Sequence, residues 1–186
     1  YVWTGLPAGS IQTVSPTITT TYTVTGTSSN GCTTTGTATV VVNNCNSVLT
    51  IKCLVQGYYI GNGLMTPVLF NEFQSSNANI CDSVTIRLHA TSIPYNAVFS
   101  VKTVMNLSGI ATWTIPSAAL NNSYYITVEF RNAVQLWSSV PVSLNGNITY
   151  NFTTAANKAF GDNQVLLDPA LNLYGTYSGD INQDQS

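Results

Sequence analysis

A chain of 186 residues has room for one complete domain and a smaller second one, each able to bury a core. Charged side chains make up only 6% of it and the net charge is -2, which excludes a basic surface for nucleic acid or anionic lipid. No apolar run is long enough for membrane insertion. Hydrophobic content of 44%, rich in Val, Ile and Tyr, excludes disorder as the meaning of the low charge, so solubility rests on Thr, Ser and Asn.

Period-two alternation runs from end to end and predicts an all-β chain. Tyr1-Val2-Trp3-Thr4-Gly5 reads as an inner strand of a small sandwich, with no earlier strand to cover it. Ile18, Thr20, Tyr22, Val24 and Gly26 then share one face, with threonines on the other. Ser28-Ser29-Asn30-Gly31 supplies a hairpin turn, and the return strand from Thr33 to Val42 is expected to point Gly36, Ala38, Val40 and Val42 inward. This gives an incomplete first domain over residues 1–43 and a linker over 44–48.

The second domain, residues 49–178, repeats the logic with longer strands and more aromatic residues. Val84, Ile86, Leu88 and Ala90 alternate with Ser83, Thr85, Arg87 and His89, and Tyr124, Ile126, Val128 and Phe130 with Tyr125, Thr127, Glu129 and Arg131. Further strands are predicted at Leu49 to Gln56, Ala97 to Val104, Ala111 to Ile115, Val140 to Leu144 and Ile148 to Thr153, enough for a sandwich. Ala155 to Gly179 reads as an irregular tail packing back on the domain. In residues 179–186, Asp180, Asn182 and Asp184 hold positions one, three and five of a calcium loop whose closing carboxylate would lie beyond Ser186, so the chain is expected to be a piece of something longer.

Cys32, Cys45, Cys53 and Cys81 lack the spacing and neighbouring histidines of a zinc site, and point to an oxidising compartment with the pairs Cys53–Cys81 and Cys32–Cys45. His89 is the single histidine and is expected on an exposed strand face. No nucleophile elbow accompanies it, and Glu72 and Glu129 are not paired by the pattern, so no enzyme is expected. Glu129 is expected to form a cross-strand ion pair with Arg87 or Arg131. Each Tyr-Tyr pair sends one ring inward and one outward. Tyr59, Tyr125 and Trp137 are therefore candidate ligand-binding residues able to stack on sugar, whereas Trp113 aligns with core positions.

The stretches Tyr1 to Gly5, Val14-Ser15-Pro16-Thr17, Thr20 to Val24, Asn30-Gly31-Cys32 and Thr39 to Val42 resemble the immunoglobulin-like repeats of secreted Bacteroidota surface proteins. Gln56-Gly57-Tyr58-Tyr59, Asp82-Ser83-Val84-Thr85, Tyr124 to Val128, Arg131-Asn132, Trp137-Ser138, Tyr150 to Thr153 and Gly179 to Asp184 resemble a C-terminal module of type IX secreted proteins of the same bacteria. The resemblance implies two β-sandwich units in series, of immunoglobulin-like or transthyretin-like type and the first incomplete, leading into a dockerin-like calcium loop. It also implies an extracellular or cell-surface location, and O-glycosylation at Ser83 within the Asp-Ser-aliphatic pattern. Two functions follow. One is a structural or adhesive module that associates with itself or with neighbouring domains, in its extended form assembling a filament by strand complementation at the edge near Tyr1. The other is a polysaccharide-binding accessory module of a secreted degrading enzyme.

Overall fold

The computed structural model describes residues 1–16, 19–42 and 47–179. The chain is all-β and divides into two compact units, Tyr1–Cys45 and Asn46–Ser186. No helix among the described residues is long and apolar enough to cross a membrane.

The first unit is one antiparallel sheet of β1 (Val2–Trp3), β2 (Thr20–Thr27) and β3 (Thr33–Val40), in the order β1-β2-β3. Gly31 takes a φ of 81° in the turn, and the Ser28 N–H to Cys32 carbonyl bond of 2.8 Å closes the hairpin there. The two long strands run in register from Thr20↔Val40 to Thr27↔Thr33 with no bulge. Val2 and Trp3 cover only Thr25 and Val24 of the far edge. The expected inward face of the return strand is not buried. Gly36, Ala38 and Val40 are all exposed, because the unit is a single layer and nothing among the described residues packs over that side. Ile18 lies outside the described residues.

The second unit is built on β4 (Val48–Lys52), β5 (Tyr59–Gly61), β6 (Leu64–Met65), a single turn of helix α1 (Val68–Asn71), β7 (Ile80–His89), β8 (Ala97–Asn106), β9 (Ile110–Thr114), β10 (Ser123–Glu129), β11 (Leu136–Trp137), β12 (Val142–Ser143), β13 (Ile148–Asn151), β14 (Val165–Asp168) and β15 (Leu173–Gly175). Its main sheet has the order β11-β10-β7-β8-β9-β4-β13, with β12 also on β10, and all its pairs are antiparallel except β4 with β13. The sheet curls so that the alternating apolar residues of several strands meet. Leu49, Ile51, Ile86, Leu88, Ile126, Val128, Leu136 and Phe152 are fully buried, each such side chain stabilising the unit by roughly 1.5–3 kcal/mol. Trp113 joins this core beside Ala111 and Ile115.

Two bulges in the β7–β8 pairing change what alternation implies. Cys81 is an extra residue between the pairs Ile80↔Asn106 and Asp82↔Met105, and both Cys81 and Asp82 are buried. Val98 is extra on β8, beside His89↔Ala97. The tail expected to be irregular contains the antiparallel pair β14–β15. It returns to the body through Gln56 N–H to the Thr176 carbonyl (3.0 Å) and Thr176 N–H to the Leu54 carbonyl (2.9 Å).

Candidate functional site

Alternation on β10 sends Tyr125, Thr127 and Glu129 to the face opposite the core, and register sets Tyr125 beside His89 and Thr127 between Arg87 and Trp137. His89 is expected to be exposed, yet it is 8% exposed. Its Nδ1 lies 2.8 Å from the Tyr95 carbonyl and its Nε2 3.1 Å from Thr127 Oγ1, while its ring packs on the indole of Trp137 at 4.3 Å between centroids. Trp137 from β11 and the β7–β8 loop that carries Tyr95 close over this outer face, bury the imidazole and form a second, smaller cluster there.

That cluster opens into a cleft of about 330 Å3 lined by Tyr95, Tyr125, Trp137, Ser138 and Phe160. Tyr125 meets Tyr95 edge-on at 5.8 Å and Trp137 at 6.4 Å. Tyr95 is held by its carbonyl contact to His89 and by its own N–H to the Ser92 carbonyl at 2.8 Å. Phe160 arrives because Ser138 and Ala159 bridge antiparallel beyond β11, with Ser139 N–H donating to the Lys158 carbonyl at 3.1 Å. Tyr95 and Phe160 remain 41% and 68% exposed, a large apolar area to leave facing water.

A relay of polar contacts fixes the indole. Arg87 Nε and Nη2 donate to Glu129 Oε1 and Oε2 at 2.6 and 3.0 Å, Gln135 Nε2 donates to Glu129 Oε1 at 2.8 Å, and Trp137 Nε1 donates to Gln135 Oε1 at 2.7 Å. The ion pair of Glu129 with Arg87 is one of the two pairings the sequence offered, and the bidentate contact to Glu129 raises the already high pKa of the guanidinium. With its N–H engaged behind it, the indole is held in one orientation rather than free to rotate.

A second cluster sits at the other end of β10. Asp82, 3% exposed, accepts from Arg131 Nε and Nη2 at 3.1 and 2.9 Å and from the Ser83 N–H at 2.6 Å. The Tyr58 hydroxyl lies between Asp82 Oδ2 and Asn132 Oδ1, and burial, followed by the charge of Asp82, pushes it up to about 12. Above them lies an open hollow of about 430 Å3 rimmed by Gly57, Thr66, Glu72 and Arg131. Tyr58, Asp82, Arg131 and Asn132 are engaged with one another, and these bonds tie the segment after β4 to β7 and to the chain after β10.

The remaining sequence-stated residues fall elsewhere. Tyr59 does not join Trp137 and Tyr125: its hydroxyl donates to Asp168 Oδ2 at 2.8 Å and accepts the Gly63 N–H, so it pins the tail hairpin, and this bond holds Asp168 below the usual carboxylate range. Cys53 and Cys81, expected as a disulfide, are two free buried thiols. Packing into one core makes them neighbours, but nearness alone does not make a bond. Burial, then the other thiol, drives Cys53 far up, and burial, then Asp82, pushes Cys81 up to about 12. Cys32 is free and exposed, and its expected partner Cys45 lies outside the described residues. Ser83 is half-buried on β7 opposite Val104. Asp180, Asn182 and Asp184 lie outside the described residues. Among the described residues no three His, Cys, Asp or Glu side chains gather as metal ligands. Tyr95 and Phe160 were missed by sequence reasoning because both sit in loops, and only their apolar character in polar surroundings could have marked them. No family model, curated protein or solved structure matches the chain.

Proposed function

We propose that this chain is a non-enzymatic adhesive module of a secreted cell-surface protein, and that it makes its contact with carbohydrate through the aromatic cleft of the second unit. The observation that supports it is the gathering of Tyr95, Tyr125, Trp137 and Phe160 around one cleft, partly exposed and braced from behind by His89 and the Glu129 relay. Flat rings held at fixed angles suit the apolar face of a sugar ring, and binding to a preformed surface avoids an ordering cost. The one histidine has both ring nitrogens occupied and is buried, which leaves it poorly placed as a general base. The test is retention of the purified chain on insoluble polysaccharides and on a glycan array. Tyr95→Ala and Phe160→Ala are expected to lose retention, while Phe73→Ala, more exposed than either but away from the cleft lining, keeps it. Retention unchanged in both cleft variants would sink the reading.

A second reading, self-association by strand addition, is favoured by the first unit. Both end strands of its sheet lack a neighbour among the described residues: β1 near Tyr1, which pairs only Val2 and Trp3 with β2, and β3, which offers the longer free edge. Concentration-dependent growth in light scattering, abolished by Thr35→Lys, is the expected result. A monomer at millimolar concentration would rule this reading out.

A further inference from the structure

The ridge formed by Trp137 and Phe160 has a second face. On its far side lies another cleft of about 180 Å3, lined by Val134, Gln135, Trp137, Ala159, Phe160 and Asn163. The two clefts therefore share two aromatic walls and differ in what surrounds them. The first offers rings, and the second adds two side-chain amides. The Gln135 amide is already oriented, with Oε1 accepting from Trp137 and Nε2 donating to Glu129. Asn163 is exposed. The next residue, Gln164, is 5% exposed, and neither polar atom of its amide has a hydrogen-bond partner among the described residues. No residue lining either cleft carries a charge.

We infer that the two clefts are adjoining subsites of one groove, and that the groove takes a neutral oligosaccharide lying across the Trp137–Phe160 ridge. This deepens the carbohydrate-contact reading and rests on it. The aromatic subsite receives the apolar face of one sugar ring. The amide subsite receives the hydroxyls of the next, since an amide offers both a donor and an acceptor, as a sugar hydroxyl requires. The absence of charge in the lining selects against uronic acids and sulfated sugars, because an anionic group would be desolvated there with no cation to pair with it.

The experiment is isothermal titration of the full chain with neutral oligosaccharides of increasing length, beginning with the one-residue methyl glycoside, beside acidic oligosaccharides of matching length. Phe160→Ala and Asn163→Ala both alter exposed side chains, and circular dichroism checks that they fold. The groove predicts affinity that rises from one residue to two or more and then levels off. Asn163→Ala removes that gain and leaves the one-residue glycoside unaffected. Phe160→Ala weakens every neutral ligand by about tenfold, the worth of one aromatic contact. A one-residue glycoside bound as tightly as the longest chain, or a length dependence untouched by Asn163→Ala, overturns the two-subsite groove while leaving the carbohydrate-contact reading standing. Preference for the acidic series overturns the neutral assignment. Failure to bind any saccharide overturns both.

Discussion

The pair Asp82–Arg131 joins a carboxylate that is almost wholly buried to a guanidinium that is half in solvent, and that asymmetry makes a sharp prediction. Removing the arginine by Arg131→Ala leaves the carboxylate in place without its cation, with only the Ser83 N–H and the Tyr58 hydroxyl to hold it. Breaking a buried pair from the charged side left behind costs about 3 kcal/mol. Removing the charge instead, by Asp82→Asn, lets Arg131 turn to water and keeps an acceptor for the Ser83 N–H. That loss is about 1 kcal/mol, because the ion pair itself is worth little when one partner is so exposed. The double variant should therefore be more stable than Arg131→Ala alone. Urea unfolding followed by tryptophan fluorescence measures this, since Trp113 and Trp137 both report on the second unit, and an unchanged slope shows that the same surface is exposed in each variant. If the double variant loses the sum of the two single losses, about 4 kcal/mol, the asymmetry argument is wrong.

Alkali gives a second prediction. Tyr58 and Cys81 are each pushed up to about 12, and Cys53 is also raised, so the folded state keeps protons that the unfolded chain releases above pH 9 to 10. Their contribution is complete below that range and is lost as pH rises toward 12, so the urea midpoint of the second unit should fall steeply over this window and little between pH 6 and 8. A flat profile to pH 12 would contradict it. Gly109→Ala provides a third. Gly109 has a φ of 75°, and an added Cβ would stand 2.1 Å from the Cys53 carbonyl oxygen, so the variant should lose at least about 3 kcal/mol or fail to fold, judged by melting temperature against a Gly146→Ala control that meets no atom.

What alternation could show, it showed on β7 and β10, where Val84, Ile86, Leu88, Ile126 and Val128 are buried as the period implies. It failed wherever burial depends on a third element. His89 has the sequence of an outward residue and is covered by Trp137 and by the loop that carries Tyr95. Gly36, Ala38 and Val40 have the sequence of inward residues and meet no second layer. The aromatic cleft was half legible. Trp137 and Tyr125 were singled out by exposure arguments, whereas Tyr95 and Phe160 come from segments with no periodicity to read. Tyr59 was misplaced because its partner, Asp168, stands 109 residues further on, at a distance that no local pattern encodes.

Residues 1–51 contain no lysine, arginine, aspartate, glutamate or histidine. The three-stranded sheet therefore presents hydroxyls, amides, the Cys32 thiol and apolar side chains, and it holds no charged side chain for ionic strength to screen. Whatever that surface touches, it should hold as firmly in molar salt as in dilute buffer. Trypsin, which cuts only after lysine or arginine, finds its first site at Lys52. Lys52 is paired within β4 to Ile110 on one side and Asn151 on the other, so it is digestion of the denatured chain, not of the native fold, that should release residues 1–52 as one uncut peptide.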